Sequence, residues 1–200
     1  KLFKILSDKF NNAKNINLEY LNKGEFLNDA KSLRGSIMLV GPLLSRFGSA
    51  SIPRPGGDKI GRRRLDTHFI NLEKLGANLE YDSKSRTYSV NSENSLKGST
   101  ILLDEASVTG TANIIMAAVL ADGHTSIYNA ACEPYIQQLC LLLNNMGSKI
   151  SGIGSNLLTI EGVDKLDGAT HRILPDMIEI GSWIGLAAMT QSKLRIKNVS

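Results

Sequence analysis

The residues of this chain best equipped for chemistry lie between Arg54 and Asp66, in the run RPGGDKIGRRRLD. Five cations (Arg54, Lys59, Arg62, Arg63, Arg64), two carboxylates (Asp58, Asp66) and three glycines (Gly56, Gly57, Gly61) share one short loop. Glycine lets a backbone approach an anion closely and enter left-handed turns. Arginine offers a planar fork matched to phosphate and carboxylate. The combination reads as a flap that grips anions, with one acid, Asp58, set between its glycines and its arginines. Composition alone also describes a solvated basic loop with an ordinary turn aspartate. What separates the two readings is the context.

Other chemistries find little support in the remaining residues. Cys132 and Cys140 have no metal-ligand partners at useful spacing and do not form a disulfide framework, so no metal site is expected. His124 and His171 fall in turns, and His68, on the apolar face of a helix, reads as a packed core-edge residue. No apolar run is long enough to cross a bilayer and no signal-peptide pattern is present, which points to a reduced, cytoplasmic setting without a membrane partner. The net charge of +4 is concentrated in the loop. It suits a small anionic ligand better than a nucleic-acid track, and aromatics do not interleave with the cations as single-strand binding requires. The 42% hydrophobic and 21% charged fractions are those of a soluble globular protein.

The elements that must position this loop recur along the chain. Leu65, Phe69, Leu72 and Leu75 form one apolar helix face, and Ile136, Cys140, Leu143 and Met146 repeat it about 70 residues later. Gly76 and Gly147 follow as helix stops, and Pro134 suits a first helical turn. Leu79 and Tyr88–Val90 are echoed by Ile150 and Leu158–Ile160 as strands. A second kind of helix runs from Ser36 to Phe47 into a strand at Ser51 and Ile52. It recurs from Thr111 to Leu120 into a strand at 126–128, and from Gly181 to Thr190 into a strand at Leu194, Arg195 and Ile196. Repeat units of about 52–126 and 127–196 follow, each strand–helix–strands–helix. The period exceeds the roughly 20–50 residues of common solenoids. The expected fold is therefore α/β, a pseudo-threefold domain with apolar helices inside and sheets outside. The chain opens at Lys1 in an apolar pattern and stops at Ser200 beside a strand, so it reads as a segment, 1–200, of a longer protein.

Four stretches, LRGSIMLVGPLLSRFG (33–48), PRPGGDKIGRRRLDTHFINLEKLGA (53–77), LLDEASVTGTANIIMAA (102–118) and ILPDMIEIGSW (173–183), resemble the enolpyruvyl transferases, in the branch whose acceptor is a nucleotide sugar. The resemblance runs along nearly the whole chain in order. It implies an inside-out α/β barrel domain carrying the catalytic loop (53–66), with a second domain lying outside this segment. It also implies transfer of the enolpyruvyl group of phosphoenolpyruvate to the sugar 3′-hydroxyl of UDP-N-acetylglucosamine, with no metal or organic cofactor. By position, Asp58 matches the loop residue that many members have as a catalytic cysteine. Members with aspartate there resist the epoxide fosfomycin, because a carboxylate is a poorer nucleophile than a thiolate yet still shuttles a proton. Arg63 matches the arginine that meets phosphoenolpyruvate and the nucleotide sugar. Arg64, Leu65, Asp66 and Thr67 match the stretch that cradles the uridine, and Arg34 matches a further ligand-site arginine. Glu105, Ala106, Ser107 and Val108 match the second nucleotide-sugar segment, where hydroxyl and N–H groups meet the diphosphate. Asp176 and Glu179 match acidic positions near the domain junction. The sequence departs from the common pattern at Glu105 (usually basic), Met177 (usually arginine) and Arg64 (usually proline). Two alternatives remain open: a non-catalytic anion or nucleic-acid binding module, and the shikimate-pathway enolpyruvyl transferase. The sequence leaves the oligomeric state undetermined.

Overall fold

The computed structural model describes residues 24–57 and 64–199. The Asp58 and Arg63 assignments lie outside those residues. The chain divides into two compact units, one up to Asp167 and one from Gly168 onward.

The described part of the first unit opens with α1 (Gly24–Ser32), a 3-10 helix (Arg34–Leu39), α2 (Val40–Phe47) and β1 (Ser49–Pro53). The single helix expected from Ser36 to Phe47 is thus split. Pro42 explains the break: inside a continuous helix it would lack its N–H and crowd the carbonyl four residues back, whereas it is tolerated in the first turn of α2. After the loop come α3 (Asp66–Lys74), β2 (Asn78–Asp82), β3 (Thr87–Asn91), β4 (Thr100–Leu102) and α4 (Val108–Ala118). The unit closes with β5 (His124–Tyr128), α5 (Pro134–Asn145), β6 (Lys149–Ser151) and β7 (Leu157–Glu161). The helix stops fall where the sequence put them, with Gly76 and Gly147 at φ of +93° and +101°.

Two sheets result. One is ordered β1-β3-β2 and wholly antiparallel; the other is ordered β4-β5-β7-β6, with β4 and β5 parallel and the remaining pairs antiparallel. The strand order β1-β3-β2 and the strand order β5-β7-β6 correspond in register as well. Asn91 faces both Ser49 and Asn78 in the first sheet, and Glu161 faces both His124 and Lys149 in the second. Alternate residues point inward, so Ala50, Ile52, Val90, Ile127, Leu158 and Ile160 are buried.

The helices cover these inner faces. α2 lies on β1 and β3, α3 on β2, α4 on β7 and α5 on β6. α4 also packs against α2, α3 and α5. Accordingly Ile114, Ile115, Ala117 and Ala118 are all buried, as a helix apolar on nearly every side requires. The recurrent faces predicted from spacing are also buried: Leu65, Phe69, Leu72 and Leu75 on one helix, Ile136, Cys140 and Leu143 on the other. A ladder of rings, Phe69 on Tyr88 and Tyr88 beside Tyr81, each at 4.6 Å, ties α3 to its sheet.

The second unit contains α6 (Met177–Met189), capped by Asp176, whose Oδ1 accepts the N–H groups of Ile178 and Glu179. The strand expected at Leu194, Arg195 and Ile196 does not form. A strand needs a neighbour to take its backbone hydrogen bonds, and α6 is the only regular element among the described residues of this unit.

Candidate ligand cleft

The loop is anchored at both of its described ends. Gly56 approaches the C-terminal end of α1 so closely that an added Cβ would sit 2.1 Å from the Lys31 carbonyl oxygen. The next residue, Gly57, has φ of +93° and lies against the Arg34 side chain. At the far end Arg34 Nη2 donates to the Arg64 carbonyl oxygen at 2.8 Å. One arginine, at the start of the 3-10 helix, therefore meets both roots of the flap.

Between this anchor and α4 lies an open cleft of about 520 Å3. The 3-10 helix contributes Arg34, Gly35 and Ile37 to its wall. Arg64 and His68 line it from the α3 side, and Glu105, Ser107 and Thr109 from the entry to α4. Ser107 is the N-cap of α4, with its hydroxyl accepting the Gly110 N–H at 3.1 Å. The first turn of an 11-residue helix thus opens beside the cleft, and its unpaired N–H groups and positive dipole end favour an anion.

The charges in the cleft wall are organised in pairs. Arg64 Nε meets Asp66 Oδ2 at 3.0 Å and Arg64 Nη2 meets Asp104 Oδ2 at 3.2 Å. The hydrogen bond and charge of Asp66, with Asp104 behind it, raise the guanidinium above its usual pKa. The buried Thr67 hydroxyl lies 3.2 Å from Asp104 Oδ1 and 3.2 Å from Glu105 Oε1, so its one proton is shared between two carboxylates. Glu105, the departure from the basic residue common in the resembling family, is in this way drawn toward α3.

Of the residues singled out by sequence, Arg34, Arg64, Glu105 and Ser107 come together on the cleft wall. Leu65 and Thr67 are buried, Asp66 is exposed and paired with Arg64, and Val108 packs partly buried against the core. Ala106 is exposed and, like these four, is not among the lining residues. Their side chains support the wall or stand beside it rather than forming it. Four wall residues were not anticipated as such: Gly35, Ile37, His68 and Thr109. A signal for one of them existed: Thr109 and Asn113 stand four apart in α4, a spacing that stacks side chains on one helical face.

His68 is buried, at 3% exposure. Burial, helped by the nearby Arg34 charge, pulls its pKa down to about 4, so the ring is neutral near pH 7. No cluster of histidine, cysteine or carboxylate side chains among the described residues could hold a metal ion.

An α/β frame thus places an arginine-anchored flap root and a helix N-terminus on one cleft. The profile of the EPSP synthase (3-phosphoshikimate 1-carboxyvinyltransferase) family matches residues 3–200, and the chain belongs to that family. Among curated relatives, it is 64% identical over 188 residues to the UDP-N-acetylglucosamine 1-carboxyvinyltransferase of Bacteroides fragilis, covering 94% of this chain and 43% of that protein. It is 62% identical to the protein of the same name from Porphyromonas gingivalis, over the same shares. Among solved structures, the enolpyruvyl transferase NikO from Streptomyces tendae superposes with a TM-score of 0.61 at 18% identity, covering 81% of this chain and 37% of that one. That likeness establishes the fold. The chain spans less than half the length of the curated relatives it matches.

Proposed function

We propose that the protein containing this chain transfers the enolpyruvyl group of phosphoenolpyruvate to the 3′-hydroxyl of UDP-N-acetylglucosamine, releasing phosphate. This is the first committed step of peptidoglycan synthesis, a cytoplasmic reaction. The observation that carries the reading is the cleft itself, where Arg34 and the N-terminus of α4 converge beside the root of the glycine- and arginine-rich flap. Relatives at 62–64% identity that are named for this reaction support the same acceptor over the shikimate alternative. Within it, the domain is an inside-out barrel of pseudo-threefold repeats completed by chain outside 1–200. The matching order and register of β1-β3-β2 and β5-β7-β6 support that arrangement.

The chemistry accounts for the residue types. The sugar hydroxyl adds to C2 of phosphoenolpyruvate while a proton goes to C3, giving a tetrahedral intermediate that still bears its phosphate. Loss of phosphate then removes a proton from C3 and restores the double bond. Asp58 on the flap is the acid that delivers the proton. Arg63 and Arg34 hold the anionic groups, the α4 N-terminus with Ser107 receives the diphosphate, and 64–67 flanks the uridine. Arginines beside Asp58 favour its ionised form. Bound anions act in the opposite direction and favour the protonated, donating form.

The deciding experiment is phosphate release by the full chain with both substrates, with and without fosfomycin. Release that fosfomycin does not touch is expected. Asp58→Asn should abolish turnover while leaving nucleotide-sugar affinity in place; unaltered turnover removes Asp58 from the mechanism. Protection from thermal unfolding by oligonucleotides and not by UDP-N-acetylglucosamine would favour the binding-module reading instead.

A further inference from the structure

Asn113 sits fully buried in the middle of α4, among isoleucine and alanine side chains, and its carboxamide is hydrogen-bonded on every side. Its Oδ1 accepts the Gly41 N–H at 2.7 Å, and its Nδ2 donates to the Ile37 carbonyl oxygen at 3.1 Å. A backbone N–H can only donate and a carbonyl can only accept, so these two partners fix which end of the amide is oxygen and which is nitrogen. The second Nδ2 hydrogen is directed at His68 Nδ1, 3.1 Å away. An amide NH2 has no acceptor capacity in such a contact, so Nδ1 carries the lone pair and the ring proton is on Nε2. Nε2 lies 3.4 Å from Thr109 Oγ1, and His68 and Thr109 both line the cleft.

We infer that Asn113 is a positioning residue: from inside the core it holds His68 as the neutral Nε2–H tautomer, and so gives the cleft an uncharged donor that an oxygen of the nucleotide sugar takes over from the long contact to Thr109 Oγ1. The ligand in this inference rests on the function proposed above; the tautomer rests on geometry alone. Protonation at Nδ1 would set N–H against N–H and break the contact with Asn113, so the ring resists becoming a cation although anions are the expected guests. The charged groups around the ring are Arg34 from the 3-10 helix, Arg64 at the root of α3, and Glu105 before α4, with Asp66 and Asp104 paired to Arg64. Packing also leaves Asn113 little freedom: a Cβ added at Gly41 would lie 2.5 Å from Asn113 Oδ1 and 2.3 Å from its backbone oxygen.

The test is nitrogen NMR of the full chain with ring-labelled histidine, combined with titration of UDP-N-acetylglucosamine. His68 should show a protonated Nε2 and a bare Nδ1, unchanged from about pH 8 down to about pH 5. A protonated Nδ1, or an imidazolium within that range, overturns the inference. Asn113→Asp, which replaces the donor by an acceptor, should move the ring proton to Nδ1, weaken nucleotide-sugar binding about tenfold at pH 8 and make it pH-dependent. Should that variant fail to fold, His68 itself provides the readout. His68→Gln, which keeps a donor near the Nε2 position, should bind within about threefold of wild type, whereas His68→Leu should lose about tenfold. A folded His68→Leu that binds like wild type overturns the donor role. A wild-type chain that binds no nucleotide sugar overturns the functional reading and the donor role with it, and the ring signature still decides whether Asn113 sets the tautomer.

Discussion

Arg34 Nη2 donates to the Arg64 carbonyl oxygen at 2.8 Å, and the same arginine lies against Gly57, so one side chain joins the two described ends of the flap. The contact also leaves the guanidinium on the cleft wall, where a ligand oxygen can share it.

Substitution of Arg34 should therefore act on the ligand more than on the fold. Arg34→Lys keeps a charge but loses the planar fork, and should weaken UDP-N-acetylglucosamine binding about tenfold, with Arg34→Ala weaker still. The melting temperature should move little, since the Arg64 carbonyl is exposed and finds water. Calorimetric titration and a thermal melt on the same samples check both halves.

Gly41 is where α2 touches α4. A Cβ there would collide with backbone and side-chain oxygens of Asn113, and neither can retreat in a packed core. Gly41→Ala should cost at least about 2 kcal/mol, read from denaturant unfolding. The neighbouring Gly35, with nothing within 4 Å of an added Cβ, is the control that should tolerate alanine.

Acid should destabilise the fold through His68. Its folded pKa, about 4, lies below the unfolded value of about 6.5, so the unfolded chain binds the proton first as pH falls. The stability associated with the neutral ring is complete above about pH 6.5 and is lost progressively down to about pH 4, on the order of 3 kcal/mol in total. His68→Gln should flatten this part of the stability–pH profile; an unchanged slope would assign the acid sensitivity to other groups.

The two cysteines should separate by reactivity. Cys132 is exposed, while Cys140 is buried in α5 and its thiol is pushed up to about 11 by burial. A thiol reagent should modify Cys132 quickly and Cys140 only at the rate of unfolding. Two equally fast thiols would contradict the packing of α5.

Ser107→Ala removes the cap of α4 and should cost about 1 kcal/mol in thermal or denaturant unfolding. Ser107→Asp restores a capping oxygen but adds a negative charge beside the cleft. It should recover stability while weakening nucleotide-sugar binding, and recovery of both would remove Ser107 from the anion site.

Local pattern alone determined the buried faces of α3 and α5 and the glycine stops after them. Each depends on residues near one another in sequence, where spacing and side-chain chemistry are sufficient. Pro42 was in view as well, yet its effect on the 34–47 segment was missed because apolar spacing outweighed a backbone constraint. The strand at 194–196 failed for the opposite reason: apolar alternation is local, but a strand exists only with a partner. What tertiary structure alone decided is the meeting of Arg34 with Gly57 and Arg64, the pairing of Arg64 with Asp66 and Asp104, and the enclosure of Asn113 with His68 and Gly41. Apart from Arg64 and Asp66, which are two positions apart, those partners are separated by 23 or more positions in the chain. Their contacts depend on how α2, α3 and α4 cross, and side-chain packing sets that crossing only once the whole core has closed.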